Sequence, residues 1–400
     1  MNLKNKTTAG TLIPKLAWRN LMGAGLRTWL NVLVLSLSFF AIIAIQGLLE
    51  GMNRQTAQSM IDVIYGNGQY WSSAYDPYDP LTLEDAHQKL DENLRRMIQN
   101  GEATAILTVQ GNMYPSGRIK PILINGIAPD QNVLSIPTGF LKDDEADIPA
   151  LIGNRESESS GLKVGDYVTV QWRDVNGTYD ARDVRIVQVM QTTVQNIDNG
   201  QIWIPLERLQ ELTGMPDEAT IVVVGKNILN PPEISGWELK NLDFLLKDLN
   251  DLIRSKSVGS SLLYLILLFL AMLAIFDTQV LSVFRRRKEM GTIMALGMTR
   301  PQVIRLFTLE GALHGVLAAV LAAIYGIPLL SWLARTGWTL PETTDSYGFA
   351  IGEKLFPAFS AGLVLGTTLL VLIVTTVVSF LPTRKISHLK PTDALRGRMT

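Results

Sequence analysis

Four long apolar runs, residues 30–49, 258–284, 309–333 and 356–381, govern what this 400-residue chain can become. About 20 apolar residues in helical form cross the ~30 Å hydrocarbon core of a bilayer. A helix also satisfies every backbone polar group internally, as a span in lipid must. The expected fold class is therefore membrane α-helical, with four transmembrane helices. Asp277 in the second run and Glu310 at the opening of the third lie near span ends, where a charge can reach headgroups or a protein interior. The first run begins near Leu30 with no small-residue cleavage site after it, so it is expected to be an uncleaved anchor.

Orientation follows from Lys and Arg in the short flanking segments, because positively charged loops stay on the cytoplasmic side. Residues 1–27 carry Lys4, Lys6, Lys15, Arg19 and Arg27 with no acid. Between the second and third spans stand Arg285, Arg286, Arg287, Lys288, Arg300 and Arg305 against Glu289, and after Pro382 stand Arg384, Lys385, Lys390, Arg396 and Arg398 against Asp393. All three segments, and so both termini, are expected inside. Residues 334–355 hold Arg335 and Lys354 against Glu342, Asp345 and Glu353, and belong outside. By alternation residues 50–257 are outside as well. Residues 51–255 hold 29 of the 37 acidic residues but only 17 of the 36 basic ones, which leaves the rest of the chain basic.

Within 50–257 the pattern changes to short alternating runs: Tyr167–Trp172, Val184–Val189, Gln201–Ile204 and Thr220–Val224. These predict strands, with Asn176-Gly177 as a hairpin turn in which both residues tolerate positive φ. Residues 82–99, capped by Thr82 with Asp85, and residues 205–213 are expected to be amphipathic helices. The outer domain is thus α+β. Leu239, Leu242, Leu246, Leu249 and Ile253 recur at three to four residues and run toward the second span with no proline between, so they predict a helical stalk entering the bilayer. Residues 51–64 would be its counterpart after the first span.

Much chemistry is excluded. The chain has no cysteine, and its three histidines, His87, His314 and His388, fall by this topology outside, within and inside the membrane, so they cannot meet. No catalytic residue and no metal site is expected. A net charge of −1 argues against a nucleic-acid partner. No Gly-x-x-x-x-Gly-Lys-Ser/Thr loop occurs, so no ATP is expected to bind here in the P-loop manner. Only Asp277 and His314 could serve a proton- or ion-driven cycle.

The most specific segment is Arg285–Gly311. It predicts a basic collar, a short helix, a break at Gly297 and a new helix opened by a Thr299/Gln302 capping box that leads into the third span. A collar that only anchors headgroups implies that Arg286→Gln is nearly silent, within about 1 kcal/mol. This segment resembles the coupling segment of the FtsX, MacB and LolC/LolE permeases, the mechanotransmission class of ABC transporters. There a basic run and Glu-x-Gly precede Ala-x-Gly, and Glu-Gly opens the next span; here these are Glu289, Gly291, Ala295, Gly297, Glu310 and Gly311. Leu16–Leu21 with Arg27–Leu30 resembles the family's amphipathic elbow, with Ile13, Leu16, Ala17 and Leu21 on one face. Leu381–Lys385 through Lys390–Arg396 resembles its C-terminal signature. Leu151-Ile-Gly153, Gly161–Asp166 and Gly126–Pro129 resemble motifs of its outer domain, the last of the lipoprotein-releasing branch.

The resemblance implies an outer domain of a Porter-like part (51–147 and 227–255) interrupted by a β-rich Sabre-like insert (148–226). It implies a bacterial inner-membrane location and a pair of permeases, homodimeric or heterodimeric, working on two copies of a separate ABC ATPase that carries ATP and Mg. Glu289, Met290, Gly291, Ile293, Met294, Ala295, Leu296, Gly297 and Pro301 would meet that ATPase, with Met290, Ile293, Met294 and Leu296 inserting into its groove. The substrate would be a lipoprotein bound for the outer membrane, passed to a periplasmic carrier or adaptor. Alternatives are MacB-like efflux of peptides or amphiphiles and FtsX-like regulation of an envelope hydrolase. Leu33, Leu37, Phe40 and Ile43 on the first span and Leu263 and Ile266 on the second would line the acyl path.

Overall fold

The computed structural model describes residues 4–23, 25–142, 147–192, 195–339 and 354–387. The C-terminal signature Lys390–Arg396 and most of the loop 334–355 lie outside the described residues. The chain forms two compact units, one of residues 1–52, 254–338 and 356–400, the other of 53–253 with 339–355.

The first unit holds helices α1 (Lys4–Gly23) and α2 (Leu26–Met60), then α8 (Lys247–Arg285), α9 (Arg287–Ala295), α10 (Arg300–Thr336) and α11 (Ala361–Ser387). Val32, Leu35, Phe39 and Ile42 recur at three to four residues on α2, so they share one face and pack against Ala318 and Ala322 of α10 and Val371 and Val378 of α11. Among the described residues three helices are long and apolar enough to cross a membrane, Thr28–Tyr65, Arg300–Thr336 and Ala361–Arg384; the described apolar part of α8 is the shorter stretch Ser261–Leu270.

The expected fourth span begins too early. Residues 356–360 are not helical, because they cross α2 where it offers only glycine. A Cβ at Gly47 would fall 2.0 Å from Phe359 Cε1, and one at Gly51 would fall 2.2 Å from the Phe356 carbonyl oxygen. At this crossing the Ala358 N–H donates to Gly47 O (2.8 Å), and the Ser360 hydroxyl then accepts from Leu363 N (3.2 Å) at the start of α11. The expected continuation of the first span does form: α2 runs to Met60 and closes in a π turn, Ile61–Tyr65, ended by Gly66 at φ 55°.

The second unit contains strands β1 (Gln69–Ser72), β2 (Gln88–Lys89), β3 (Ala103–Met113), β4 (Lys120–Ile127), β5 (Ile148–Gly153), β6 (Tyr167–Arg173), β7 (Tyr179–Met190), β8 (Gln201–Pro205), β9 (Glu218–Ala219), β10 (Ile221–Val224) and β11 (Trp237–Lys240). Its helices are α3 (Glu92–Gln99), α4 (Asn154–Ser160), α5 (Gln195–Asp198), α6 (Leu206–Thr213) and α7 (Leu242–Leu245). All four predicted strands and the helix at 205–213 form. The helix expected over 82–99 does not. Pro80–Glu84 is a 3₁₀ turn capped by Asp79, β2 pairs with β9, and only Glu92–Gln99 is helical, capped by Asp91 rather than Thr82. In the β6–β7 turn Gly177 alone takes positive φ (83°); Asp174 holds the turn by accepting from Asn176 N and Thr178 N.

Nine strands form one sheet, β11-β1-β10-β3-β4-β8-β5-β7-β6, and β6 returns to pair with β3, so β3, β4, β8, β5, β7 and β6 close a barrel. Its interior is filled by alternate residues such as Leu107, Val109, Ile124, Ile152, Val168, Val170, Trp172 and Ile202. The expected insert boundary at 148–226 is therefore displaced. β3 and β4 precede it yet belong to the barrel, while β10 lies inside it yet pairs with β1 and β3. The cause is the length of β3. Its first residues, Ala103–Ile106, pair with β10, and its last, Gly111–Met113, pair with β6 along the same edge.

Candidate coupling site

Helix α8 ends at Arg285 because Arg286 leaves helical geometry (φ −93°, ψ 15°), and α9 follows at once. Leu296–Thr299 make the expected break, with Gly297 at φ 101°, a conformation that strains any residue with a Cβ. The predicted box forms: Gln302 Oε1 accepts from Thr299 N at 2.8 Å, and α10 starts.

Helical spacing divides α9 into two faces. Met290 is 2% exposed among Ala17 of α1 and Val303, Leu306 and Phe307 of α10, with Ile293 and Met294 packed against the same cluster. Lys288, Thr292, Ala295 and Leu296 face outward, Leu296 at 83% exposure. This corrects the expected docking set. Met290, Ile293 and Met294 bind the protein's own helices and are not free for a groove on another chain. Gly291 is buried too, whereas Ala295, Leu296, Gly297 and Pro301 remain exposed.

The basic collar is corrected at Arg286. Its Nη1 donates to both Glu310 carboxylate oxygens at 2.6 and 2.8 Å, and its Nε and Nη2 donate to Glu289 at 2.6 and 2.9 Å. The guanidinium also lies over the Phe307 ring, 4.8 Å from the centroid. One side chain thus ties the end of α8, the first turn of α9 and the entry of α10. The Glu289 hydrogen bonds hold Arg286 protonated ever more firmly, and the same bonds depress the Glu289 carboxyl below its ordinary range. Because the folded value is the lower one, the Glu289 contribution is present above the unfolded pKa and is lost as pH falls through the depressed value. Arg286 could not be singled out in a run of four basic residues. The available signal was Glu310 opening an apolar span, since an acid there needs a partner.

A family model described as the MacB-like periplasmic core domain matches residues 28–234, just over half of the chain, and one described as the FtsX-like permease C-terminal matches residues 261–391. The chain belongs to the MacB- and FtsX-type family of ABC transporter permeases. It is 23% identical over 134 residues to an uncharacterized ABC transporter permease of Methanocaldococcus jannaschii, covering 32% of this chain and 30% of that one. It is 20% identical to the macrolide export ATP-binding/permease protein MacB of Burkholderia lata, over 95% of this chain and 56% of the relative. It is 19% identical to the lipoprotein-releasing system transmembrane protein LolC of Neisseria meningitidis serogroup B, over 92% of this chain and 94% of the relative. The permease therefore spans about a third and about half of the first two relatives, and nearly all of the third.

The other expected site residues of this permease are divided. Leu33 and Leu37 are exposed on α2, as are Leu263 and Ile266 on α8, but Ile43 is buried and Phe40 packs on Tyr325 (ring centroids 5.6 Å apart), so neither lines an open path. In the stalk, Leu239 is not helical; it stands on β11 opposite Tyr70. Leu242 lies in α7, Leu246 at its end, and Leu249 and Ile253 in α8. The stripe from Leu242 onward survives because Leu246 N bonds Leu242 O and Asn250 N bonds Leu246 O across the break. Among the described residues no group of acidic and histidine side chains could hold a metal ion.

Proposed function

We propose that this permease is the transmembrane subunit of an ATP-driven lipoprotein-releasing transporter of the bacterial inner membrane. The observation that carries the coupling role is the outward face Thr292–Ala295–Leu296, backed by a buried apolar cluster and clamped through Arg286. A rigid, exposed helix at a break between spans is a lever end on which another chain can act. Two copies of a separate ABC ATPase, which bind Mg-ATP, dock there, and a second permease completes the pair. In the proposed topology of four spans, both termini and α9 lie inside and residues 50–257 outside. Movement then travels along α2 and α8, the helices through which the chain passes between residues 1–52 and 53–253 and between 53–253 and 254–338.

Lipoprotein release is favoured by the similarity to LolC over nearly the whole of both chains. Acyl chains are held by ~0.8 kcal/mol per methylene, so a triacylated protein needs ~30 kcal/mol or more of compensation, which fits a machine driven by ATP. Exposed Leu33, Leu37, Leu263 and Ile266 would offer the apolar path. The second reading, MacB-like efflux of peptides or amphiphiles, is favoured by the match to the MacB of Burkholderia lata over 95% of this chain.

Two measurements test the reading. Depleting the permease is expected to leave newly made lipoproteins in the inner membrane of spheroplasts, with release restored by re-expression. Unchanged release together with lost efflux of amphiphiles would transfer the assignment to the second reading. For orientation, a single cysteine at exposed Ser135 in this cysteine-free chain is expected to react with an impermeant thiol reagent, and one at Ser387 is not. Labelling of Ser387 in unbroken cells would invert the topology.

A further inference from the structure

The chain enters the outer domain through α2 and leaves it through α8, and the two helices are rooted differently. The π turn that ends α2 is fastened from several sides. Asp62 O accepts from Ser135 N at 2.8 Å, the Asp62 carboxylate takes Lys226 Nζ and Gln58 Nε2, and Gln69 Nε2 donates to Ile64 O at 2.9 Å. Just beyond, Asn67 N donates to Val224 O at 2.8 Å, and the backbone runs so close to β10 that a Cβ at Gly66 would fall 2.2 Å from that oxygen. Bonds of this kind open only when the sheet they join opens.

The root of α8 is jointed instead. Helix α7 is seated firmly: Phe244 meets the buried Trp71 edge-on with ring centroids 5.8 Å apart, and Lys240 Nζ lies 5.2 Å from the Trp71 centroid and 4.6 Å from that of Phe244. Leu246 then leaves helical geometry (φ −89°, ψ 1°), and α8 starts afresh at Lys247. A residue at the end of one element that can absorb a change in φ and ψ is what a hinge requires. Beyond it, only Leu249 of residues 247–255 is buried.

A strap crosses this joint. Residues 73–79 follow β1; Tyr75 packs edge-on against Trp71 at 5.1 Å, and the Tyr78 hydroxyl donates to the Asp248 carboxylate in the first turn of α8. That bond, ahead of other causes, raises the Tyr78 hydroxyl above its ordinary value, so it remains a donor. The Asp248 charge also reaches Tyr65, the last residue of the π turn, so the strap closes where the two roots meet. Tyr78 is 73% exposed, and water competes for its bond, which therefore opens and closes easily.

We propose that α8 is the movable stalk and α2 the fixed one: α8 turns at Leu246 about a seated α7, and the Tyr78–Asp248 bond is the latch that holds it against the outer domain. This rests on the reading that movement passes along the two helices, and it adds which of them moves and what releases it.

Hydrogen exchange of the full chain in nanodiscs tests the proposal without ATPase or cargo, so its failure is separate from failure of the lipoprotein-release reading, which the depletion experiment judges. In the wild-type chain, amides 247–253 should exchange faster than amides 61–67. Tyr78→Phe is expected to speed exchange over 247–253 about fivefold and leave 61–67 unchanged. Asp248→Ala should do the same, the double variant should be no faster than either single one, and Asp248→Asn, which keeps an acceptor, should stay within about twofold of wild type. Unchanged exchange across β6 is the folding control. Wild-type exchange over 247–253 in Tyr78→Phe would overturn the latch. Equal acceleration of 61–67, or slower exchange at 247–253 than at 61–67 in the wild type, would overturn the contrast between the roots.

Discussion

Leu296→Asp or Ala295→Glu is expected to weaken binding of the proposed ABC ATPase partner a hundredfold or more while the permease still folds. Both residues are on the outward face of α9, Leu296 at 83% exposure, so neither substitution disturbs the protein's own packing. In the bound state a carboxylate at this position would be desolvated without a partner. Such a group costs several kcal/mol, and about 2.7 kcal/mol already corresponds to a hundredfold in affinity. Met290→Asp would not serve, since Met290 is 2% exposed and its loss would report on folding. The measurement is co-purification with the ATPase, with ATP turnover as a second readout and protease resistance of the outer domain as the folding control. Retention of wild-type binding by both variants would mean that α9 is only a positively charged loop and that the ATPase docks elsewhere.

The choice of these two residues rests on a distinction the sequence could not make alone. Helical spacing identifies Met290, Ile293 and Met294 as a stripe, but an apolar stripe looks the same whether it meets a neighbouring chain or the protein's own α10. What decides is the presence of Ala17, Val303, Leu306 and Phe307 on the other side. Features set by local chemistry were legible: the Thr299/Gln302 box, the break at Gly297, the strands at 167–172 and 201–204, and the helix at 206–213. Features set by distant partners were not. Leu239 keeps helical spacing with Leu242 and Leu246 yet joins β11, because Tyr70 offers a strand edge. Residues 82–91 lost their predicted helix to the β2–β9 ladder in the same way. The barrel could not be read from β-propensity, since its closure depends on β3 serving two partners along one edge. The need for glycine at Gly47 and Gly51 comes likewise from a distant partner, the crossing of residues 356–359.

The same reasoning reverses the expectation for the collar. Arg286→Gln is expected to destabilise the α8–α9–α10 junction by about 3–5 kcal/mol, the usual consequence of removing one partner of a buried ion pair. Glu310 is only 5% exposed and receives two hydrogen bonds from Arg286, so its carboxylate would lose its charge partner with little water to replace it. Glu289 would lose its bonds as well, but it is half-exposed and can turn to solvent, so its share is small. Arg286→Lys should recover only part of the loss, because an ammonium cannot serve two carboxylates with the planar fork that reaches both. The double variant Arg286→Gln with Glu310→Gln should be more stable than Arg286→Gln alone, since it removes the uncompensated charge. Denaturant unfolding in detergent, followed by proteolysis within residues 285–300, measures the junction directly. ATPase stimulation separates loosened coupling from lost docking, because Leu296 remains available on the outward face. If Arg286→Gln stays within about 1 kcal/mol of wild type, the pair behaves as a surface salt bridge and the clamp is wrong. If the double variant is no better than the single one, the loss comes from packing of Arg286 on Phe307 rather than from the stranded Glu310 charge.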